Sequence, residues 1–248
     1  MKIFGLIGLP LSHSFSKNYF TNYFLQNNID AQYQLFELNS INELSNLIQQ
    51  NTNLKGLNVT IPYKQSVISF LDEIDPLAKA VGAVNTIRIE YRQIKPYLIG
   101  YNTDIFGFSE TIQPLLKPCY KKAIVLGNGG AAKAVTYVLN QLNIEFVIAT
   151  RSVNKANHIS YDCLNKYIDN HFIIINTTPL GMFPNIADCP QIPYDKITQN
   201  HLFFDLIYNP ETTLFLKQGA KQGALIQNGF KMLQIQADRA WQIWNYKL

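Results

Sequence analysis

Apolar positions along the chain follow two rhythms that take turns. FGLIG (4–8) is a short continuous apolar run and predicts a strand. FSKNYFTNYFLQNN (15–28) places aromatics at helical spacing, and YQLFEL (33–38) returns to a strand-like pattern. Ser40-Ile-Asn-Glu43 reads as a capping box that opens a helix to about residue 50. LKGLNVT (54–60) predicts a strand with Asn58 and Thr60 on one face. Pro62 stops that strand and suits the first position of a helix, and Lys64 follows. Asp75-Pro76 starts a short helix, and AVNTIRIE (83–90) is again a strand. The βαβα order predicts a largely parallel sheet.

A second alternation begins near residue 121. KKAIVLG (121–127) is continuously apolar, as expected of a strand covered on both faces. A helix over 130–142 and strands over 144–150, 171–176 and 202–206 follow. The last helix, roughly 229–246, carries Trp241 and Trp244. The boundary between the halves falls on a helix at 103–117, just before Pro118. The fold class predicted is α/β, in two parts.

Composition narrows the function classes. The 248 residues are 47% hydrophobic and 15% charged, with a net charge of +4 spread along the chain. This suits an anionic small ligand better than a nucleic-acid groove. Cys119, Cys163 and Cys189 form no CxxC pair, which argues for reduced thiols in the cytoplasm. The histidines His13, His158, His171 and His201 lie far apart, so no metal site is expected. The apolar start of the chain is interrupted by Pro10 and reads as a buried strand rather than a leader, and no stretch reaches membrane-spanning length.

The most specific local signal is AIVLGNGGAAKAV (123–135), a strand, a glycine turn and a helix. Gly127-x-Gly129-x-x-Ala132 matches the dinucleotide fingerprint. The first glycine permits the turn, the second lets the backbone approach a pyrophosphate, and the small third residue lets helix and strand pack. About twenty residues on, an NAD site would carry an acid. Here stand Thr150, Arg151 and Ser152, and a guanidinium there favours the 2′-phosphate of NADP. INTTPLGM (175–182) ends a strand on the same sheet edge, where Thr177 and Thr178 would reach the nicotinamide half.

Several stretches together resemble the shikimate dehydrogenases: GLPLSHSFS (8–16), NVTIPYK (58–64), GAVNT (82–86), GYNTD (100–104), GNGGAA (127–132), TRS (150–152), INTTPLGM (175–182), DLIYNP (205–210) and GFKMLQIQA (229–237). They run in the family's order across nearly the whole chain. The resemblance implies a substrate-binding domain over 1–103, with a mainly parallel sheet, completed by the C-terminal helix 229–248. It implies a Rossmann-like NADP domain over 104–228, with the active site in the cleft between them. The implied activity is reversible NADPH-dependent reduction of 3-dehydroshikimate to shikimate, in aromatic biosynthesis, by a cytoplasmic monomer or homodimer.

Roles carried over by the resemblance fall on matching positions. Ser14, Ser16, Asn58, Thr60, Asn85, Tyr208 and Gln236 would bind the substrate's carboxylate and hydroxyls, and helix capping is the other reading for one of the serines. Lys64 and Asp104 would be the reactive pair, with the lysine exchanging a proton and the carboxylate orienting it. Gly127, Asn128, Gly129, Gly130, Ala131, Thr150, Arg151, Ser152, Thr177, Thr178, Leu206 and Gly229 would line the cofactor. His13 has no role to carry over and is expected to pack structurally.

The chain departs from the family pattern in three places. Lys17 stands where proline is usual, which bears on where the following helix starts. Asn128 replaces a small residue and points to phosphate or to solvent. The stretch between Arg151 and Asn176 is short for a full layer, with Tyr161 and Cys163 expected to mark a remnant strand. Three alternatives remain at this stage: a quinate/shikimate dehydrogenase using NAD, a non-enzymatic metabolite sensor on the same fold, and a methylene-tetrahydrofolate dehydrogenase-like protein.

Overall fold

The structure is a computed structural model that describes residues 1–11 and 14–245. His13 lies outside the described residues. The chain divides into two compact units, Met1–Thr103 with the chain from Ala237 on, and Asp104–Gln236. The division falls inside the last helix.

The first unit is built on a six-stranded sheet. Strands β1 (Lys2–Gly8), β2 (Ala31–Glu37), β3 (Leu54–Val59), β4 (Glu73–Ile74), β5 (Thr86–Arg92) and β6 (Lys95–Tyr101) run in the order β2-β1-β3-β5-β6-β4. β1 pairs in parallel with β2 and β3, as the alternation predicts. β5 lies antiparallel to β3 and to β6, so the sheet is mixed. β5 and β6 form a hairpin around the short connection at residues 93–94.

Helix α1 (Phe15–Gln26) buries Phe20 and Phe24 one turn apart, and it starts at Phe15 despite Lys17. Helix α2 (Leu44–Gln50) follows a 3-10 turn at Ile41–Glu43. The expected capping box takes a tighter form, with Ser40 Oγ accepting from Asn42 N rather than from the third residue. Helix α3 (Pro76–Val81) has the predicted start: Asp75 accepts from Leu77 N and Ala78 N, Pro76 has no N–H that needs an acceptor, and Gly82 closes the helix at φ 67°. Pro62 does not begin a helix. It sits in a turn that leads to a 3-10 segment at Ser66–Phe70.

Both faces of the first sheet are covered. Ile7, Leu57, Val59 and Ile87 pack with Leu44, Ile48 and Val67 on one side. Phe4 and Leu6 pack with Phe20, Phe24, Tyr33, Ile243 and Trp244 on the other.

The second unit begins with helix α4 (Asp104–Ile112) and a 3-10 turn at Gln113–Leu115, so the helix expected over 103–117 is shorter. Its sheet is β7 (Lys122–Leu126), β8 (Glu145–Ala149), β9 (His158–Ile159), β10 (Ile173–Asn176), β11 (Leu202–Asp205) and β12 (Leu225–Gln227) in the order β12-β11-β10-β7-β8-β9. Every pairing is parallel. Helices α5 (Gly130–Gln141), α6 (Leu214–Lys221) and the start of α7 (Phe230–Asn245) complete it.

The layer between β8 and β10 is trimmed to the two-residue β9 and two 3-10 segments, Tyr161–Lys166 and Ile168–Asn170. The remnant strand is His158–Ile159, upstream of Tyr161 and Cys163, which lie in the first 3-10 segment. No helix among the described residues is long and apolar enough to cross a membrane.

Candidate functional site

The first unit gathers a buried polar cluster at the ends of β3, β5 and β6. Asn58 is 5% exposed and Asn85 is 3% exposed. Asn85 Oδ1 accepts from Thr103 N at 2.7 Å, and Asn85 Nδ2 donates to Thr103 Oγ1 at 3.0 Å. Asn58 Nδ2 reaches Asn85 O at 3.4 Å and Thr86 Oγ1 at 3.3 Å, while Asn58 Oδ1 accepts from Tyr33 Oη at 2.7 Å. Buried amides cost free energy unless matched. These amides are held by groups on three segments, β2, the start of β5 and the stretch after β6, so their orientation is set before any ligand arrives.

Around that cluster stand the other predicted residues of the unit. Lys64 is half-buried in the turn after β3, and its carbonyl accepts from Val84 N at 2.7 Å. Thr60 is half-buried, with its N–H donating to Ile7 O. Ser16 is 9% exposed in the first turn of α1, beside the Tyr33 side chain. Ser14 stands at the N-cap of α1, yet its hydroxyl makes no capping bond. That Oγ is buried with no partner among the described residues. The capping reading therefore does not apply to Ser14, and a buried hydroxyl left unmatched points to a ligand.

The second unit carries the glycine turn between β7 and α5. Gly127 adopts φ +100°, a region that side chains rarely enter, and a Cβ there would meet Thr177 Oγ1 and Thr178 Cγ2 at 2.9 Å. Gly129 is the N-cap of α5 and supplies no capping side chain. Nothing lies within 4 Å of a Cβ built on Gly129, so the turn is open on that side. The first N–H groups of α5, from Gly130 and Ala131 onward, face this opening with the positive end of the helix dipole. The chain's own residues thus fit a pyrophosphate. Asn128 is exposed on the turn.

Past the end of β8, Thr150 is half-buried and accepts from Ser152 N through its hydroxyl, while Arg151 and Ser152 are exposed. The ammonium of Lys133, in the first turns of α5, is pushed below its ordinary pKa by burial and then by Lys155. Lys133 and Lys155 thus place further cations in the same unit, a feature sequence reading did not single out. At the end of β10, Thr177 Oγ1 donates to Leu126 O at 2.7 Å, and Thr178 donates twice to Asn176 Oδ1, from N at 3.0 Å and from Oγ1 at 2.7 Å. A Cβ on Gly229 would fall 2.1 Å from Leu206 O, so only glycine lets these two backbones touch.

A second buried network lies behind Thr178 and was not foreseen. Asp205 is fully buried. Its Oδ1 accepts from Asn176 Nδ2 at 3.1 Å and Ile207 N at 3.0 Å, and its Oδ2 accepts from Thr213 Oγ1 at 2.6 Å. Burial pushes this carboxyl up to about 6, against the pull of the three donors. The sequence signal was an acid at a strand end, within the quoted DLIYNP. Asp104 is buried at the first position of α4, Tyr208 is half-buried after β11, and Gln236 is buried in α7 with Nε2 donating to Leu233 O. Among the described residues no group of three His, Cys, Asp or Glu side chains is arranged to hold a metal.

Comparison with known proteins gives concordant findings. A family model described as the shikimate dehydrogenase substrate binding domain matches residues 6–87. An NADP(+) shikimate dehydrogenase of Methanosphaera stadtmanae is 39% identical over 99% of this chain and 92% of its own. The crystal structure of shikimate dehydrogenase 1 from Peptoclostridium difficile superposes with a TM-score of 0.88 at 39% identity, covering 100% of this chain and 93% of that one. A shikimate dehydrogenase crystallised in complex with NADP+ superposes with a TM-score of 0.86 at 34% identity, covering 99% and 90%.

Proposed function

We infer the chemistry from one premise: the chain belongs to the shikimate dehydrogenase family. It is an NADP-dependent oxidoreductase that interconverts 3-dehydroshikimate and shikimate in the route to chorismate and the aromatic amino acids. The observation that carries this conclusion is 39% identity over nearly the full length with an enzyme of that name, on a chain that has both the polar cluster and the glycine turn.

The individual roles are our proposal. When bound, the reduced nicotinamide would supply the hydride that the substrate's carbonyl carbon takes up. Gly127, Asn128, Gly129, Gly130 and Ala131 would hold its pyrophosphate at the head of α5. Thr150, Arg151 and Ser152 would take the 2′-phosphate, where the guanidinium provides bidentate donors. Thr177, Thr178, Leu206 and Gly229 would border the nicotinamide half. Asn58, Thr60, Asn85, Tyr208 and Gln236 would match the ring hydroxyls, and Ser14 and Ser16 the carboxylate. Lys64 would give the carbonyl oxygen its proton during reduction and take it back in the reverse direction, with Asp104 orienting the ammonium.

A division of labour between a substrate domain over the first hundred or so residues and a cofactor domain after it belongs to the same proposal. So do a monomer or homodimer as the working form and the cytoplasm as its compartment, the latter supported by three free cysteines. The NAD-dependent quinate reading is disfavoured by Arg151 and by the lack of an acid after Thr150. The sensor reading is disfavoured by the presence of both Lys64 and Asp104.

Separating binding from turnover tests the reactive pair. Lys64→Ala and Asp104→Asn should each keep shikimate affinity within about threefold by calorimetry while kcat falls by about a hundredfold or more, the usual worth of a placed proton donor. Turnover within tenfold of wild type in Lys64→Ala would remove the lysine from the chemistry.

A further inference from the structure

Tyr33 sits in the middle of β2 and is 2% exposed. Its ring is fixed by apolar neighbours: it stacks on Phe20 with centroids 4.8 Å apart, and Trp244 lies 6.4 Å away at a tilt. The hydroxyl emerges on the polar side. There it donates to Asn58 Oδ1 at 2.7 Å, with the Ser16 side chain beside it. Three elements, α1, β2 and β3, therefore meet at one phenol oxygen.

Donor and acceptor counting fixes the direction of this chain of bonds. A phenol has one proton to give. Asn58 turns its other arm toward the backbone carbonyl of Asn85, which can only accept, so that arm is Nδ2. The arm facing Tyr33 is then Oδ1, and the phenol proton goes to it. The phenol oxygen is left with lone pairs only, so toward Ser16 it can act only as an acceptor. The bonds that Nδ2 itself makes are long, 3.4 and 3.3 Å, so it retains hydrogen-bonding capacity for a better acceptor.

We propose that Tyr33 is a positioning residue of the substrate site, whose hydroxyl sets Asn58 as a donor toward a ring hydroxyl. Tyr33 raises affinity for a hydroxylated ring and has no part in the hydride step. Burial pushes its phenol above the ordinary tyrosine range, so it is a neutral donor at neutral pH. The inference rests on the reading that Asn58 holds this substrate.

The test is Tyr33→Phe, which keeps the ring packing and removes only the hydroxyl. Shikimate binding is measured by calorimetry, alongside KM for shikimate, KM for NADP and kcat. The shikimate Kd and KM should rise by about tenfold, with KM for NADP and kcat changed by less than about threefold. In an Asn58→Ala background the same substitution should change the shikimate Kd by less than about threefold, because the group it orients is gone. An unchanged shikimate Kd, an equal rise in both KM values, or the same effect in both backgrounds would overturn the proposal. Wild-type protein that neither binds nor turns over shikimate would instead sink the functional reading, and this inference with it.

Discussion

Asp205 is a fully buried carboxylate with three donors aimed at it. Burial wins over the donors and lifts its carboxyl to about 6 from 3.8. Between those values the folded chain holds a proton that the unfolded chain has lost. The contribution of this group to stability is therefore greatest below about pH 4 and falls as pH rises through about 6. Asp205→Asn keeps an acceptor for Asn176 and Ile207 and removes the titration. The stability difference between wild type and this variant should shift against wild type from about pH 4 to 7, by up to roughly 3 kcal/mol at 1.36 per pKa unit. Denaturant melts at several pH values measure it, and parallel curves would show that the carboxylate is ionised throughout. Tyr33 and Asp205 share a reason for having escaped the sequence. Each earns its place through bonds to residues far along the chain, 25 positions from Tyr33 to Asn58 and 29 from Asp205 to Asn176. Those bonds depend on strand register, which local pattern does not encode. Gly127 and Asn58 were legible because a tight turn and a polar strand face are local demands.

The elements that read correctly are those with a covered apolar face and a marked end. β7 announced itself as KAIVL, buried along nearly its whole length, and α3 through Asp75, Pro76 and Gly82. β6, KPYLIGY, went unread because its first residues are exposed and only its end is buried. Pairing with β5 makes it a strand, and pairing is not visible locally. The same held for the trimmed layer after β8, whose short length was evident but whose remnant strand was misplaced. The C-terminal part of α7 docks through Ala237, Ala240, Trp241, Ile243 and Trp244, and Trp244 makes the most varied contacts. Trp244 stacks on Phe4 at 4.9 Å, lies against Gly56 where a Cβ would meet its ring at 2.3 Å, and donates Nε1 to Ile87 O at 3.0 Å. Trp244→Ala should cost about 3–5 kcal/mol in chemical denaturation, as large aromatic deletions in cores do. A loss below about 1 kcal/mol would mean that the helix is held elsewhere.

The molecule as a whole is two units with two sheets, the first mixed and the second wholly parallel. Each presents polar or glycine-rich groups at its strand ends, where open α/β sheets bind ligands. The first offers amides and hydroxyls suited to a hydroxylated ring, the second a bare helix N-terminus and exposed Arg151 suited to phosphates. Substrate identity came from family resemblance and not from pattern, because many ring polyols would satisfy the same donors and acceptors. The most direct test mixes purified protein with shikimate and NADP+ and follows reduced nicotinamide by absorbance, with NAD+ and quinate in parallel and Arg151→Ala beside wild type. Wild type should form NADPH from shikimate with a kcat/KM at least about tenfold above the NAD+ and quinate reactions, and Arg151→Ala should lose most of the NADP preference. Absence of turnover with either cofactor, in protein that still binds shikimate, would contradict the enzyme and leave a metabolite sensor.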